Sequence, residues 1–350
     1  MNRTIVIDGN PLKLTKIYPV RIGGIGDLHV GSLFAIACEG FGWELNESQK
    51  KLLEYWKEYA MECIANKITQ LWIVGDLISG NDRRNHGKYN FTDNLDTQTE
   101  MAAKLIIDFV HAVKSIETVI IWGGTPYHTS EDITVEKMIV DKLRAEGINA
   151  VCEGEYSYIT IKYKDFIKRI FVTHSVRGTS HPETALGMNM REWQEKVAQG
   201  KLPPVDMQVS AHKHEFVEVH KASIRAVQLP CWQLFVPYDS ALKYFARYQP
   251  DIGGTIILFD DKLRTMPWHF TYPSFLPENY NLNIVAGVEA REKEHQIETE
   301  ERSAAQRNRG LGITFTSLKK PKKSNDDVNK AIANRKTKTF TNAESRNAKV

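Results

Sequence analysis

The sequence predicts an α/β fold, and three observations carry that reading. Short β-branched runs alternate with helix-length amphipathic segments through residue 200. "TQLWIVGD" and its counterparts read as buried strands, and several of them end on an Asp or a His. Hydrophobic residues make up 42% and charged residues 25% of the 350, the balance of a globular chain with a sizeable core.

The elements follow in order. Residues 1–20 hold Ile5, Val6 and Ile7 and a turn at Asp8-Gly9-Asn10-Pro11, the makings of a small hairpin. Residues 18–26 form a strand leading into Asp27. In 47–68, Leu52, Leu53, Trp56, Ala60, Cys63 and Ile64 recur at helical spacing. The next strand ends at Gly75-Asp76. A polar loop over 77–96 carries Arg83, Arg84 and His86, and loops of this length are often functional or mobile. Thr97-x-x-Glu100 reads as a capping box opening a second helix. "ETVIIWGG" is a third strand, and a third helix over 134–146 stops at Gly147. Strands follow at 148–152, 157–164 and "KRIFVTHS", then a helix over 182–199. "VDMQVSAHKHE" is a strand running into His212 and His214, and further strands lie in 224–234 and 254–260. Beyond 288 core residues nearly vanish. The chain therefore divides into one domain over 1–288 and a charged helix or linker with a disordered basic tail over 289–350.

Charge is uneven. The net formal charge is +3, yet residues 311–350 hold 10 Lys/Arg against 3 Asp/Glu, so the body is mildly acidic. A lysine-rich tail is suited to nucleic-acid phosphates, whereas the body has no basic footprint. Cys38, Cys63, Cys152 and Cys231 show no zinc-ribbon or disulfide spacing. No apolar run is long enough for a membrane span and no secretory signal precedes the first strand, so the expected setting is cytoplasmic, without a membrane partner.

The strand exits collect the chemistry: Asp27 and His29, Asp76, Gly124-Thr125 with His128, His174, and His212 with His214. In α/β sheets, ligands gather outside the carboxyl ends of the strands. Hard carboxylate oxygens beside borderline imidazole nitrogens suit a divalent transition metal.

In order and strand context, "GDLH", "VGD", "GGTPYH", "VTHS" and "SAHKH" resemble the motif series of the calcineurin-like metallophosphoesterases, over residues 20 to about 216. The resemblance implies a two-sheet α/β sandwich with flanking helices and a dinuclear metal centre. By position, Asp27, His29 and His214 would hold one metal, His174 and His212 the second, and Asp76 would bridge them. Two cations about 3.5–4 Å apart clamp a phosphoryl group and activate water. The metals implied are Mn2+, with Fe or Zn as alternatives.

The third block departs from the pattern. Thr125 stands where the family has a metal-ligating Asn, and His128 arrives two residues late. "GGTPYH" resembles a variant in phage-type members. Thr125 is thus a candidate for metal or substrate contact, and His128 a candidate general acid or ligand, the acid being favoured. Arg83, Arg84 and His86 are candidate substrate contacts, with solvated charge as the plainer reading.

The function expected is metal-dependent hydrolysis of a phosphomonoester or phosphodiester, with a metal-bound hydroxide attacking phosphorus and Asp76 and His128 serving the chemistry. One alternative is a nuclease resembling the Mre11/SbcD group, with the basic tail on DNA. Another is a scaffold of the same fold that has lost turnover and binds a partner. The oligomeric state is left open.

Overall fold

The computed structural model describes residues 3–7, 10–14, 20–81, 89–126, 128, 134–163, 166–175, 181–221, 224–234, 250–258 and 264–270. All fall within the unit Met1–Glu289. Arg83, Arg84 and His86, the segment 289–350 and the boundary expected at 288/289 lie outside the described residues.

The elements run β1 (Arg3–Ile7), β2 (Asn10–Leu14), β3 (Arg21–Gly26), α1 (Glu47–Ala65), β4 (Gln70–Val74), α2 (Leu95–Ala112), β5 (Thr118–Trp122), α3 (Thr134–Ala145) and β6 (Ala150–Cys152). Then come β7 (Tyr156–Tyr163), β8 (Phe166–Thr173), α4 (Pro182–Ala198), β9 (Met207–Ser210), β10 (Val217–Lys221), β11 (Ile224–Gln228), β12 (Ile252–Leu258) and β13 (Arg264–Phe270). They build two mixed sheets, β13-β12-β3-β4-β5-β6 and β10-β11-β9-β8-β7-β1-β2. β3 to β6 are mutually parallel, and so are β8, β9 and β11. The protein is therefore an α/β, two-sheet sandwich.

The layers follow from side-chain alternation. In β4 and β5, Trp72, Val74, Ile120 and Trp122 point between the sheets, where they meet Ile159, Ile170, Val172 and Val209. Their neighbours Leu71, Ile73, Val119 and Ile121 point the other way, into the layer built by α1, α2 and α3. Both faces are buried, so the strands read as continuous apolar runs rather than alternating ones. On the far side, Leu186, Met190 and Trp193 of α4 cover Ile224 and Ala226 of β11. The strand ends are thereby held by packing on both faces of each sheet.

Two expectations need correction. α2 opens at Leu95, two residues before Thr97: Asn94 is the N-cap, its side chain accepting the Thr97 amide at 3.1 Å. Asn94 leaves Thr97 no capping role because it already satisfies the free amide there. The capping box sits instead on α1, between Asn46 and Gln49. β13 is a strand that periodicity did not mark, because Pro267 interrupts it; it lies at the end of its sheet, where a missing N–H is tolerated. No described helix is long and apolar enough to cross a membrane.

Candidate metal centre

Five strands deliver the candidate residues to one place. β3 ends at Gly26 and is followed by Asp27 and His29; β4 ends at Val74 and is followed by Asp76. β5 leads to Thr125 and His128, β8 to His174, and β9 to His212 and His214. The first three strands belong to one sheet and the last two to the other. The cluster therefore spans the same edge of both sheets, at the strands' carboxyl ends.

An extended strand does not place these side chains. Asp27 and His29 lie beyond β3 with φ of 51° and 46°, Asp76 has φ 45°, and His212 and His214 have 79° and 59°. Among the described residues, Lys67 is the other non-glycine with positive φ. Each such residue costs on the order of 1–3 kcal/mol, and surroundings that over-determine it must hold it. They do so here. The amide of His29 donates to Asp76 O at 2.9 Å, that of Trp232 to Asp27 O at 3.0 Å, and that of Asp251 to His214 O at 2.8 Å. The i, i+2 spacing thus works through a left-handed turn rather than through the pleat.

The side chains then converge. Asp27, His29 and His214 form one group able to hold a cation, and Asp76, His174 and His212 form another. His128 joins His29 and Asp76 in a third. Oδ1 of Asp27 lies 3.7 Å from Nε2 of His29, 3.8 Å from Nε2 of His174 and 3.4 Å from Nε2 of His214. It is buried and has no hydrogen bond, while Oδ2 accepts the His212 amide at 2.8 Å. A buried carboxylate oxygen without a hydrogen bond, ringed by imidazole nitrogens, fits a divalent cation. On the other side Nε2 of His174 reaches Asp76 Oδ2 at 3.0 Å and Nδ1 of His212 at 3.2 Å.

Backbone carbonyls set the tautomers. Nδ1 of His174 lies 3.0 Å from Val74 O, and Nδ1 of His128 lies 2.6 Å from Ser79 O. A carbonyl only accepts, so each Nδ1 carries hydrogen and leaves Nε2 for the site. The His128 ring stands edge-on to His29, centroids 4.5 Å apart.

The electrostatics divide the histidines. Burial and the neighbouring His128 push His29 down to about 4. Burial and His174 push His212 to about 4 as well. For His174 burial opposes the charge, but Asp76 and Asp27 outweigh it and lift the pKa to about 9. Burial would raise the carboxyls of Asp27 and Asp76, yet His174 and its neighbours hold both well below the ordinary range.

Thr125 lies against Asp76. Its amide donates to Oδ1 at 2.6 Å, and its hydroxyl lies 3.0 Å from Oδ1 and 3.2 Å from Oδ2. Two glycines make the approach possible. A Cβ on Gly124 would overlap Oδ1 and the amide nitrogen of Asp76, and one on Gly75, whose φ is +74°, would overlap the His174 ring. Sequence reasoning missed Glu136, a buried carboxylate in the first turn of α3 that accepts the Gly124 amide at 3.3 Å. In sequence it looks like an ordinary acidic residue at a helix start, and nothing local marks it.

No protein-family model matches the chain, and no curated protein matches it. Solved structures do resemble it over most of the chain. An archaeal phosphodiesterase is 12% identical, over 72% of this chain and 100% of its own, with a TM-score of 0.37. A dimetal phosphatase from Danio rerio is 10% identical, over 73% and 99%, at 0.37. Zinc-complexed Vps29 from Entamoeba histolytica is 12% identical, over 73% and 94%, at 0.35. At this level of likeness the topology and side-chain geometry above stand on their own.

Proposed function

We propose that the chain is a metal-dependent phosphoesterase with a two-cation centre. The observation that carries it is the convergence, from five strand ends, of two carboxylates and five imidazoles around a site that holds a buried Asp27 oxygen with no hydrogen bond. The donor set fits the group. Asp27, His29 and His214 would hold one cation, His174 and His212 the second, and Asp76 would bridge them. A carboxylate has two oxygens to share, whereas each imidazole offers one lone pair. Mixed nitrogen and oxygen donors favour Mn2+, Fe or Zn over Ca2+ or Mg2+.

When bound, the cations would polarise the phosphoryl group and lower the pKa of water. The protein's own residues do the rest. Asp27 and Asp76 supply fixed negative charge that keeps cations in place. The neutral His29 and His212 keep their lone pairs at neutral pH. Ser79 O holds the Nδ1 hydrogen of His128 and turns Nε2 to the site, where the imidazolium form of His128 can hand its Nε2 proton to the departing oxygen.

The substrate class is a phosphomonoester or phosphodiester. Action on DNA is the second reading, favoured by the lysine-rich 311–350 segment. The expected setting is cytoplasmic. The test is a screen of mono- and diesters and of single- and double-stranded DNA with manganese, on wild type and Asp76→Asn. Hydrolysis by the wild type that falls at least about 100-fold in the variant is expected. Equal activity in the two would refute the assignment. Wild-type activity on small esters but none on DNA would discard the nuclease.

A further inference from the structure

We infer that Thr125 is a positioning residue for Asp76, anchored from behind by Glu136, and that among the described residues the second cation would take Asp76, His174 and His212 as its side-chain ligands, with Thr125 not among them. This rests on the two-cation reading above. The first support is the direction of the Thr125 hydroxyl. It has one hydrogen to give, and the two Asp76 oxygens lie within 3.0 and 3.2 Å to receive it. Together with the Thr125 amide, at 2.6 Å from Oδ1, it ties down the torsion of the carboxylate from one side. An asparagine in that place would offer a carbonyl oxygen to a cation. Threonine instead serves the carboxylate that would bridge both.

The second support lies one layer out. Glu136 is 1% exposed, and its Oε1 accepts the Gly124 amide. The N-terminal end of α3 favours a negative charge in its first turn. Gly124 is pressed so closely onto Asp76 that it has no room for a side chain. Glu136, the 124–125 backbone and Asp76 thus form one connected support, and loosening its outer member loosens the bridge. Outer partners of metal-ligating groups are typically worth 10–100-fold in metal affinity.

With three such protein ligands the second cation would keep open positions, the arrangement of a catalytic rather than a structural site. Because Asp76 would touch both cations, the positioning role has a signature that a ligand role lacks. Loss of a second-site ligand weakens one cation, whereas loss of Asp76's support weakens both.

The experiment is isothermal titration calorimetry of manganese into the full-length wild type and Thr125→Val, Thr125→Ser, Glu136→Ala and Glu136→Gln. Melting of the metal-free proteins checks that each folds. Wild type is expected to take two manganese ions per chain. Thr125→Val, which keeps the shape and removes the hydroxyl, is expected to weaken both sites about tenfold or more. Thr125→Ser should restore them, Glu136→Ala should weaken both, and Glu136→Gln should retain most of the affinity. Unchanged binding in Thr125→Val, a loss confined to one site, or no rescue by serine would overturn the inference while leaving the two-cation reading intact. Absence of manganese binding by the wild type would overturn both.

Discussion

Nε2 of His29 and Nε2 of His214 face each other at 3.1 Å, with Oδ1 of Asp27 beside both. Two imidazole nitrogens so placed need a proton or a cation between them. Burial works against charge on His214, but Cys231 and Asp27 outweigh it and raise its pKa well above the ordinary value, while His29 stays neutral at about 4. In the metal-free protein the proton that His214 holds faces both His29 and Asp27. A cation there must displace that proton, and one on the second site must displace the proton that His174 holds up to about 9.

Manganese binding at pH 7 is accordingly expected to release protons. Apparent affinity should climb with pH toward about 9, by as much as tenfold per unit for each proton displaced. Calorimetry in buffers of different ionisation enthalpy measures the release. Binding heats independent of buffer would contradict it.

Stability of the metal-free protein should peak near the ordinary histidine pKa, about 6.5. His29 and His212, depressed to about 4, refuse protons that the unfolded chain accepts, so their contribution is lost as pH falls from 6.5 toward 4. His174, raised to about 9, binds a proton the unfolded chain releases, so its contribution is lost as pH rises from 6.5 through 9. Each limb is on the order of a few kcal/mol. Urea unfolding in EDTA across pH 4–9 traces the curve. A monotonic rise through pH 9 would count against the His174 environment.

His128 is expected to act on the leaving group. Replacing it with Gln should slow hydrolysis of an alkyl phosphate ester by about 10²–10⁴-fold, while a nitrophenyl ester, whose oxygen leaves without a proton, should lose far less. Rates of both esters in wild type and His128→Gln decide it. An equal loss on both would assign His128 to binding instead.

Gly124→Ala should be the most damaging small substitution in the turn. The new methyl would overlap Asp76, a backbone-and-carboxylate wall rather than a flexible tip. A loss of about 1–3 kcal/mol is expected from overpacking, together with weaker manganese binding. Thermal melts and metal titration of the alanine variant test this. A wild-type melt with wild-type affinity would show that the turn yields.

What the sequence determined by itself was local. Continuous apolar runs marked the buried parallel strands, helical spacing marked α1, helix-length amphipathic segments between the strands marked α2 to α4, and the Asp and His residues at strand ends could be named because strand ends are legible from the runs they close. β13 was not legible, since Pro267 breaks the pattern that only pairing with β12 restores. Tertiary structure alone decided how the site is made. The left-handed turns at Asp27, His29, Asp76, His212 and His214 are held by hydrogen bonds between segments distant in sequence. Thr125 lies 49 residues from the Asp76 it supports, and Glu136 meets Gly124 only because α3 folds back over the end of β5. Distance and hydrogen-bond direction fixed which partner each of these side chains has, and neither is written in local periodicity.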